Sequence, residues 1–470
     1  MLSGAGVMMV GRPSEPENVT LTKPFWTNPS VLELAGDRDP VEVIIERARD
    51  TVLGAIEEGW RGPPYDPFEL ADLMNVPAVP RDDLYDARLV VTEGNRARLE
   101  FNPTRPRGRV RFTIAHELAH TLFPDFKKAA RYRSGPKSRP DEWQLELLCN
   151  IAAGELLMPI GSFQSLEEEP LKIERLMEAR KRFEVSTEAL LLRVVHLTAR
   201  PSAVFAAARV DGDNPDSPFR LDYVIGSRSW TSALRRGLQI PAASVLGECT
   251  AVGYTAKRRE SWPGAGGELG VECVGIPPYP GQRLPRVVGL LLDQARATKP
   301  NEITELIGDA TDPRGDGPRL IVQLVNDKTP NWGGPFARAL KSRYPAAQTA
   351  FRLWAHEPGH LHLGHVHVVD VSDEIAVATM VAQKGYGASV KTRVRFAALR
   401  DSLAQVAAIA RTRGAAVHMP RIGTGEGGAA WAIIRELIDD ELVRTGLDVT
   451  VYTLPNTKLR ESAAQLVIGA

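Results

Sequence analysis

The pattern of apolar residues changes twice along the 470-residue chain, and these changes restrict the architecture more than any single motif does. Up to about residue 200, apolar residues recur at helical spacing, in runs such as 41–52 and 142–158. Residues 203–295 hold short apolar runs separated by Gly, Pro and Ser, which is typical of strands. After about Glu302 the pattern alternates between strand and helix and predicts an α/β domain. At ~150 residues per domain, the length agrees with about three modules.

We therefore predict a multidomain α+β protein with five segments. These are a flexible arm over residues 1–30, a helical domain over 31–200, a β-rich domain over 201–298, an α/β/α domain over 303–456 and a tail over 457–470. In the helical domain, alternation near 89–101 predicts one small hairpin with its turn at Glu93-Gly94-Asn95. A break at 185–187 separates two amphipathic stretches. We interpret them as a helical hairpin packed on its own domain rather than a DNA-binding helix-turn-helix, because residues 161–199 have no basic face.

Charge and cysteine content exclude several classes of protein. Lys plus Arg and Asp plus Glu both number 58, so net charge gives no argument for a nucleic acid or an anionic membrane as partner, and direct nucleic-acid binding stays open. Cys149, Cys249 and Cys273 lie far apart without a CxxC pair, which argues against a disulfide framework. No apolar run approaches about 18 residues. We expect a cytoplasmic protein with no membrane segment.

The run His116-Glu117-Leu118-Ala119-His120 has the H-E-x-x-H spacing. On a helix this spacing places two imidazoles one turn apart on one face, where both can bind a single zinc ion. Glu117 would then lie beside a water activated by the metal, and could take its proton and pass it to a leaving amine. The surrounding helix is predicted from about Val110 to Phe123. The motif predicts amide hydrolysis.

The same pattern occurs a second time, at His356-Glu357-Pro358-Gly359-His360. Here proline and glycine fall inside the turn that would have to be helical. Proline clashes with a preceding carbonyl group and glycine weakens a helix, so the two histidines are not expected at helical spacing. We interpret this copy as a surface loop.

A catalytic zinc needs a third protein ligand and an open position. The predicted helix 142–158 offers Glu142, Glu146 and Glu155. Glu146 lies one turn before Asn150, so a ligand carboxylate and an amide that could orient it by a hydrogen bond share one face. Glu155 faces nearly the opposite way. For each glutamate the alternative is a solvated side chain on an amphipathic helix.

The segments 111–122 and 146–159 together resemble the paired signatures of the ImmA/IrrE family of zinc metallopeptidases. The resemblance covers about residues 40–200 and implies a zincin-like helical peptidase. It implies His116, His120 and Glu146 as Zn²⁺ ligands and Glu117 as the general base. Members of that family cleave regulatory proteins, often helix-turn-helix repressors, so the resemblance implies a protein substrate of this kind.

Residues 105–139 carry a local charge excess, with ten Lys or Arg against Glu117 and Asp125, a difference of +8. Such a stretch could attract an acidic substrate segment or nucleic acid. The alternative, which we favour, is a solvated loop.

Two glycine-rich turns lie where strands lead into helices in the C-terminal domain, at 331–335 and 421–428. Glycines there let backbone N–H groups approach a phosphate, and a helix N-terminus favours negative charge. Neither turn has the G-K-[ST] ending of a Walker loop, and neither places a G-x-G-x-x-G run directly after the first strand, as a dinucleotide-binding fold does. A pyrophosphate ligand in a less common nucleotide-binding fold is the prediction.

The order of elements after residue 303, with Gly308-Asp309-Ala310-Thr311 before the strand 320–326, resembles a macrodomain, the ADP-ribose-binding α/β/α module. The run 419–425 and Trp431 are most similar to the terminal ADP-ribose glycohydrolase subclass. The resemblance implies that Asp309 binds the adenine amino group. It implies that the remaining ligand contacts come from Asn326, Gly333, Gly334, Gly423, Thr424 and Gly425.

The same resemblance bears on catalysis in the macrodomain. Lys384 matches the lysine of that subclass, but the position of its catalytic aspartate corresponds to Gly427, with Glu426 one residue away. A hydrolase could use Lys384 and Glu426, whereas a domain that only binds ADP-ribose needs neither. Both alternatives stay open.

The sequence therefore favours a zinc endopeptidase coupled to a macrodomain that binds, and in one alternative hydrolyses, ADP-ribose on a modified target. A stress, DNA-damage or phage and toxin response is the expected setting. The competing interpretation is a non-proteolytic regulatory protein whose active part is the macrodomain.

Overall fold

The computed structural model of the protein describes residues 26–92, 96–128, 140–163, 171–198, 200–227, 229–279, 281–293 and 302–455. Four predicted features lie wholly or partly outside these ranges. They are most of the arm, the turn at 93–95, residues 129–139 of the stretch with excess basic charge (105–139), and the tail. Within them, the multidomain α+β class is confirmed: a mainly helical part is followed by an antiparallel sheet and then by an α/β part.

The first three helices begin in the same way. Each has proline in its first turn and a preceding polar residue whose side chain accepts backbone N–H groups. They are α1 (Pro29–Ala35), α2 (Pro40–Glu58) and α3 (Pro67–Leu73), capped by Asn28, Asp39 and Asp66.

A three-stranded sheet interrupts the helical part. Its strands are β1 (Ala78–Pro80), β2 (Ala87–Val91) and β3 (Ala97–Phe101), in the order β1-β3-β2. The predicted hairpin is the antiparallel pair β2 and β3, while β1 adds to β3 in parallel and was not predicted, because three residues show no alternation. Strand β2 is therefore an edge strand.

Helices α4 (Arg107–His120) and α5 (Glu142–Leu157) pack against each other, and α4 also contacts β2 and β3. Helix α4 begins and ends about three residues earlier than predicted. Helices α6 (Ile173–Phe183) and α7 (Thr187–Leu197) follow, and Ser186 caps α7. Helix α7 contacts α5 and the next sheet, as expected for a packed helical hairpin.

The middle sheet is antiparallel throughout and has the order β6-β5-β4-β9-β8-β7. It confirms the β-rich character predicted from 203 onward. Its strands are β4 (Ser202–Arg209), β5 (Phe219–Gly226), β6 (Gln239–Ile240), β7 (Thr255–Ser261), β8 (Glu268–Ile276) and β9 (Arg286–Leu292).

The C-terminal sheet has the order β10-β15-β14-β11-β13-β12, and only β12 is antiparallel to its neighbour. Helices α8 and α9 cover one face and α10 and α11 the other, which confirms the α/β/α fold. The alternation predicted after Glu302 is interrupted twice, because β12 and β13 form an antiparallel pair and a second helix, α9, follows α8. The elements are β10 (Thr304–Ile307), β11 (Arg319–Asn326), α8 (Pro335–Arg343), α9 (Pro345–Ala355), β12 (Val366–Asp370), β13 (Ile375–Gln383), α10 (Phe396–Arg413), β14 (Ala416–Pro420), α11 (Trp431–Glu441) and β15 (Val449–Thr453).

A single cluster of buried apolar residues runs from α1 and α2 through α5 to α10 and α11. The first helices and the C-terminal domain therefore share a core. Two further clusters cover the second faces of the middle and C-terminal sheets. In the part of the chain that the structure describes, no helix combines the length and the apolar character needed to cross a bilayer.

Candidate functional site: a metal centre and a loop cluster at the second sheet

The side chains of His116, His120 and Glu146 converge between α4 and α5, with all their ligand atoms within 4.8 Å of one another. Nε2 of His116 lies 2.9 Å from one carboxylate oxygen of Glu146, and Nε2 of His120 lies 3.8 Å from the other. His120 is buried, whereas 39% of the Glu146 side chain is exposed. The three predicted ligands thus form one cluster with an open side.

Helix α5 also contacts the Nδ1 atoms of both imidazoles, on the opposite side of each ring from Nε2. Nδ1 of His116 lies 2.9 Å from Oδ1 of Asn150, and Nδ1 of His120 lies 3.0 Å from Sγ of Cys149. Asn150 was predicted to orient Glu146, and the structure places its amide oxygen against His116. Cys149 was missed, although its position three residues after Glu146 puts it on the same face as Glu146 and Asn150.

This donor set fits a metal ion. Two imidazole nitrogens and one carboxylate are typical of a catalytic zinc site, which keeps its fourth position open. With their Nδ1 atoms held by α5, both histidines turn Nε2 towards Glu146. Burial lowers the pKa of His116, but the hydrogen bond to Glu146 and the charges of Glu117 and Glu146 raise it overall above its ordinary value. The cluster therefore favours positive charge at the point where the donor atoms meet.

Glu117 projects from α4 towards the edge strand. Its Oε2 accepts a hydrogen bond of 2.9 Å from the backbone N–H of Leu89 in β2. A backbone N–H group thus contributes to the position of the base predicted from the sequence. No sequence pattern predicts this contact, because it depends on how β2 lies against α4.

The second H-E-x-x-H copy is not helical. Helix α9 ends at Ala355, and Gly359 has a φ of +87°. Nδ1 of His360 contacts the carbonyl oxygen of Trp354. Among the described residues, the cluster around Glu146 is the only group of three or more potential ligands close enough to share a metal ion.

Two acidic residues outside the basic stretch (residues 105–139) offset part of its charge where the structure describes it. Arg109 forms an ion pair with Asp86, Arg107 lies 3.1 Å from Glu184, and the buried Arg111 lies 3.5 Å from Glu184. The excess of +8 therefore overstates the charge available to a partner, since Asp86 and Glu184 lie outside the segment that was counted.

The second candidate site lies at the carboxyl ends of parallel strands in the C-terminal sheet. Asn326 ends β11, Lys384 follows β13 and the run 421–428 follows β14. A hydrogen bond joins the turn after β11 to the turn after β13, because Gly385 donates its N–H to Asp327 at 2.8 Å. Carboxyl ends of neighbouring parallel strands are where open α/β sheets bind ligands.

The predicted ligand-binding residues have different local roles. Oδ1 of Asn326 accepts the N–H groups of Lys328 and Thr329, so this side chain shapes its own turn. Asp309 is exposed and accepts the N–H of Thr311 at 2.9 Å. The hydroxyl of Thr424 donates to the carbonyl oxygen of Arg421.

Three of the predicted ligand-binding glycines have no atoms close to the position that a side chain would occupy. A Cβ atom added to Gly333, Gly334 or Gly425 would meet no atom within 4 Å. Gly334 is also the N-cap of α8 and offers no side chain to cap it. The indole Nε1 of Trp332, next to these glycines, is buried without a hydrogen-bond partner. Backbone N–H groups and an uncapped helix N-terminus next to open space can accommodate an anion.

Lys384 and Glu426 are both exposed, and Gly427 between the loops is buried. The carbonyl oxygen of Gly427 accepts N–H groups from Arg393 and Val394. A Cβ atom at Gly427 would lie 2.5 Å from the carbonyl oxygen of Gly423 and 2.8 Å from Cγ2 of Val394. In this arrangement the position that corresponds to the aspartate of the glycohydrolase subclass has no room for any side chain.

Comparisons with known proteins found one matching family and several similar proteins and solved structures. Residues 79–195 match the family Peptidase_M78, described as the IrrE N-terminal-like domain. Mouse chromodomain-helicase-DNA-binding protein 1-like is 30% identical over 169 residues, 34% of this chain and 19% of that protein. A macrodomain protein from Streptomyces coelicolor is 36% identical over 32% of this chain and 99% of that one, with a TM-score of 0.29. Thermosipho africanus DarTG, solved in complex with ADP-ribose, is 16% identical over 30% of this chain and 39% of that one, with a TM-score of 0.26.

The match to Peptidase_M78 confirms the resemblance drawn from segments 111–122 and 146–159, and macrodomain proteins are among the structures similar to the chain. The chain spans less than a fifth of the length of the curated relatives it matches.

Proposed function

We propose that this protein is a zinc-dependent endopeptidase joined to a macrodomain that binds ADP-ribose on a modified target. The observation that carries the peptidase half is the convergence of His116 and His120 on Glu146, with Glu117 one residue away on the same helix. The residues fit zinc by number, chemistry and orientation.

In the proposed reaction, water adds to a peptide carbonyl carbon and the C–N bond breaks. Zinc, when bound, supplies Lewis-acid polarisation and lowers the pKa of a water to roughly 7. Glu117 takes the proton that this water loses and delivers it to the leaving amine nitrogen. The N–H of Leu89 orients the Glu117 carboxylate for both transfers. His116, His120 and Glu146 would hold the metal, and the contacts of the two histidines with Asn150 and Cys149 fix both imidazoles.

The test of the peptidase is Glu117→Gln, which keeps the shape of the side chain and removes the base. Cleavage of a proteome-derived peptide library, detected by mass spectrometry of new N-termini, should fall about 10²–10⁴-fold while the bound zinc stays unchanged. Glu142→Gln, on α5 but outside the metal cluster, is the matched control. Equal cleavage by wild type and Glu117→Gln contradicts the assignment. Absence of zinc from the purified chain favours the non-proteolytic alternative.

For the macrodomain we propose binding without hydrolysis. Support comes from Gly427, whose packing leaves no room for the carboxylate of a hydrolase. Asp309 is assigned to the adenine amino group, Gly333 and Gly334 to the distal ribose, and the run 423–425 to the diphosphate. Lys384 and Glu426 are the residues that would act if hydrolysis occurs.

Calorimetry with free ADP-ribose tests this assignment. Asp309→Ala should weaken binding at least tenfold, whereas Asp373→Ala, an exposed aspartate in the turn before β13, should not. Incubation with an ADP-ribosylated protein should release no ADP-ribose. If the wild-type protein releases ADP-ribose and Lys384→Ala does not, the macrodomain is a hydrolase and the proposal of binding alone is wrong.

The substrate that we propose is a regulatory protein such as a helix-turn-helix repressor, cleaved in a stress, DNA-damage or phage and toxin response. We place this activity in the cytoplasm, in keeping with three buried cysteines, none of which is in a disulfide.

A further inference from the structure

Arg49 of α2 lies between the metal-site helix and the macrodomain. Its guanidinium is 3.6 Å from Glu155 of α5 and 3.5 Å from Glu436 of α11, and it also forms an ion pair with Asp440 of α11. Only 18% of the Arg49 side chain is exposed. Burial lowers the pKa of Arg49, but the charges of Glu155, Asp440 and Glu436 raise it overall. The arginine is thus held by carboxylates from both domains.

Glu155 is the least exposed of these carboxylates and belongs to the helix that carries Glu146. Its side chain is 1% exposed and pairs with Arg193 of α7 at 2.6 Å. The helix that supplies Glu146, Cys149 and Asn150 to the metal site therefore ends in a buried ionic network. A shift of Glu155 along its helix axis acts on those three residues, because backbone hydrogen bonds join consecutive turns of an α-helix.

The segment that follows α5 contacts the macrodomain directly. Gly161 donates its N–H to Glu436 at 2.6 Å. Gly161 has a φ of +82°, and an added Cβ would lie 2.7 Å from Cγ1 and 2.9 Å from the backbone nitrogen of Ile433. The C-terminal end of α5 is thus fixed to α11 by a charge network and by close backbone packing.

Helix α11 begins only a few residues after the glycine-rich run 421–428. Ala429 donates its N–H to the carbonyl oxygen of Gly423, which has a φ of +73°. The loop after Lys384 is also tied to the peptidase, since Glu57 at the end of α2 accepts the N–H of Phe396 at 2.7 Å and Glu58 pairs with Lys391 at 2.5 Å. The loop after Lys384 therefore contacts α2, which packs on α5, and the run 421–428 leads into α11, which contacts Arg49 and Gly161.

We propose that Arg49 is a positioning residue through which the macrodomain sets the affinity of the zinc site, and that ligand binding at the run 421–428 changes this affinity. The inference rests on the proposed function of both sites. Helix α11 holds Arg49 and Gly161, Arg49 holds Glu155, and Glu155 fixes the helix that presents Glu146. Removing one partner from a buried charge network leaves an uncompensated buried charge, which is strongly destabilising. Loss of Arg49 or Glu436 should therefore disturb the position of Glu155.

Zinc affinity of the full chain, measured by competition with a chromophoric chelator, tests the positioning role. Arg49→Met and Glu436→Gln should each weaken zinc binding about tenfold, while Arg49→Lys should restore part of it. Glu374→Gln is the control, because Glu374 pairs with Arg319 inside the macrodomain. Glu436→Gln keeps the shape of the side chain, so circular dichroism should match wild type. Wild-type zinc affinity in both Arg49→Met and Glu436→Gln overturns the proposal.

Linkage tests the second part. In wild type, saturating ADP-ribose should change the zinc dissociation constant at least fivefold, and zinc should change the ADP-ribose dissociation constant by the same factor. In Arg49→Met this factor should fall to about one. Binding of both ligands without mutual effect, or an unchanged factor in Arg49→Met, overturns the coupling. If ADP-ribose does not bind at all, the macrodomain assignment and the coupling both fail, while the chelator competition still decides the role of Arg49.

Discussion

Sγ of Cys149 lies 3.0 Å from Nδ1 of His120, opposite the Nε2 atom that faces Glu146. Asn150 makes the corresponding contact with His116. One turn of α5 therefore supplies a proposed metal ligand and both groups that orient the imidazoles. Partners behind metal-binding histidines fix the tautomer and the ring orientation, and their loss typically costs 10- to 100-fold in metal affinity.

The first prediction follows from this contact. Cys149→Ala removes the group behind His120 and should weaken zinc binding about tenfold, whereas Cys149→Ser, which keeps a hydrogen-bonding group, should weaken it less. Competition with a chelator measures both. Cys249→Ala, a buried cysteine of the middle domain, controls for the loss of a thiol elsewhere. Equal zinc affinity in Cys149→Ala and wild type would show that the Sγ contact does not position His120.

A second prediction concerns the packing of Gly427. Gly427→Ala should lower the free energy of unfolding by about 1–3 kcal/mol, because its Cβ would overlap the carbonyl oxygen of Gly423. Gly425→Ala, two residues away with open space around it, should cost less than about 1 kcal/mol. Urea unfolding measures both. Equal destabilisation by the two substitutions contradicts the steric account and reopens the position for a catalytic carboxylate.

Most of the candidate metal cluster could be predicted because its three residues follow local periodicity. The spacing of His116 and His120 on α4 and the position of Glu146 on α5 are properties of single helices. The partners of these residues are less accessible to sequence reasoning. Asn150 shares a face with Glu146, but which ligand it contacts depends on how α4 packs on α5. The contact of Leu89 with Glu117 depends on strand placement, which no local pattern encodes.

In the fold, too, features set by local periodicity were predicted and features set by packing between distant segments were not. The three regions were predicted from the change in apolar period, and β4 to β9 fall where short apolar runs occur. Helix α9 was not predicted. Pro345 lies two residues after the end of α8, where a proline is usually taken as the end of a helix, but here it is the first residue of a second helix. The ionic network around Arg49 could not be predicted, since Glu155 and Glu436 are 281 residues apart and each resembles a solvated residue of an amphipathic helix.

A third prediction uses a buried histidine in the C-terminal sheet. Burial, and then the charge of Arg319, lower the pKa of His418 to about 4. An unfolded histidine has a pKa near 6.5, so the unfolded state binds a proton first as the pH falls. The stabilisation is complete above about pH 6.5 and is lost between about 6.5 and 4. From pH 7.5 to 5, wild type should lose about 2 kcal/mol more than His418→Gln in urea unfolding followed by tryptophan fluorescence. The same pH dependence in both proteins contradicts this role.

The last prediction distinguishes the two H-E-x-x-H copies by metal content. His116 and His120 lie one turn apart on α4 and share Glu146, whereas Gly359 and its φ of +87° break the turn between His356 and His360. The full chain should therefore bind about one zinc per molecule by mass spectrometry under native conditions. His120→Ala should lose it and His360→Ala should keep it, because removal of one of three ligands destroys the site, whereas His360 belongs to no group of three potential ligands among the described residues. Chelation should remove the metal and the peptidase activity together, and zinc should restore both. A second zinc that disappears in His360→Ala would contradict the argument that proline and glycine exclude the helical spacing.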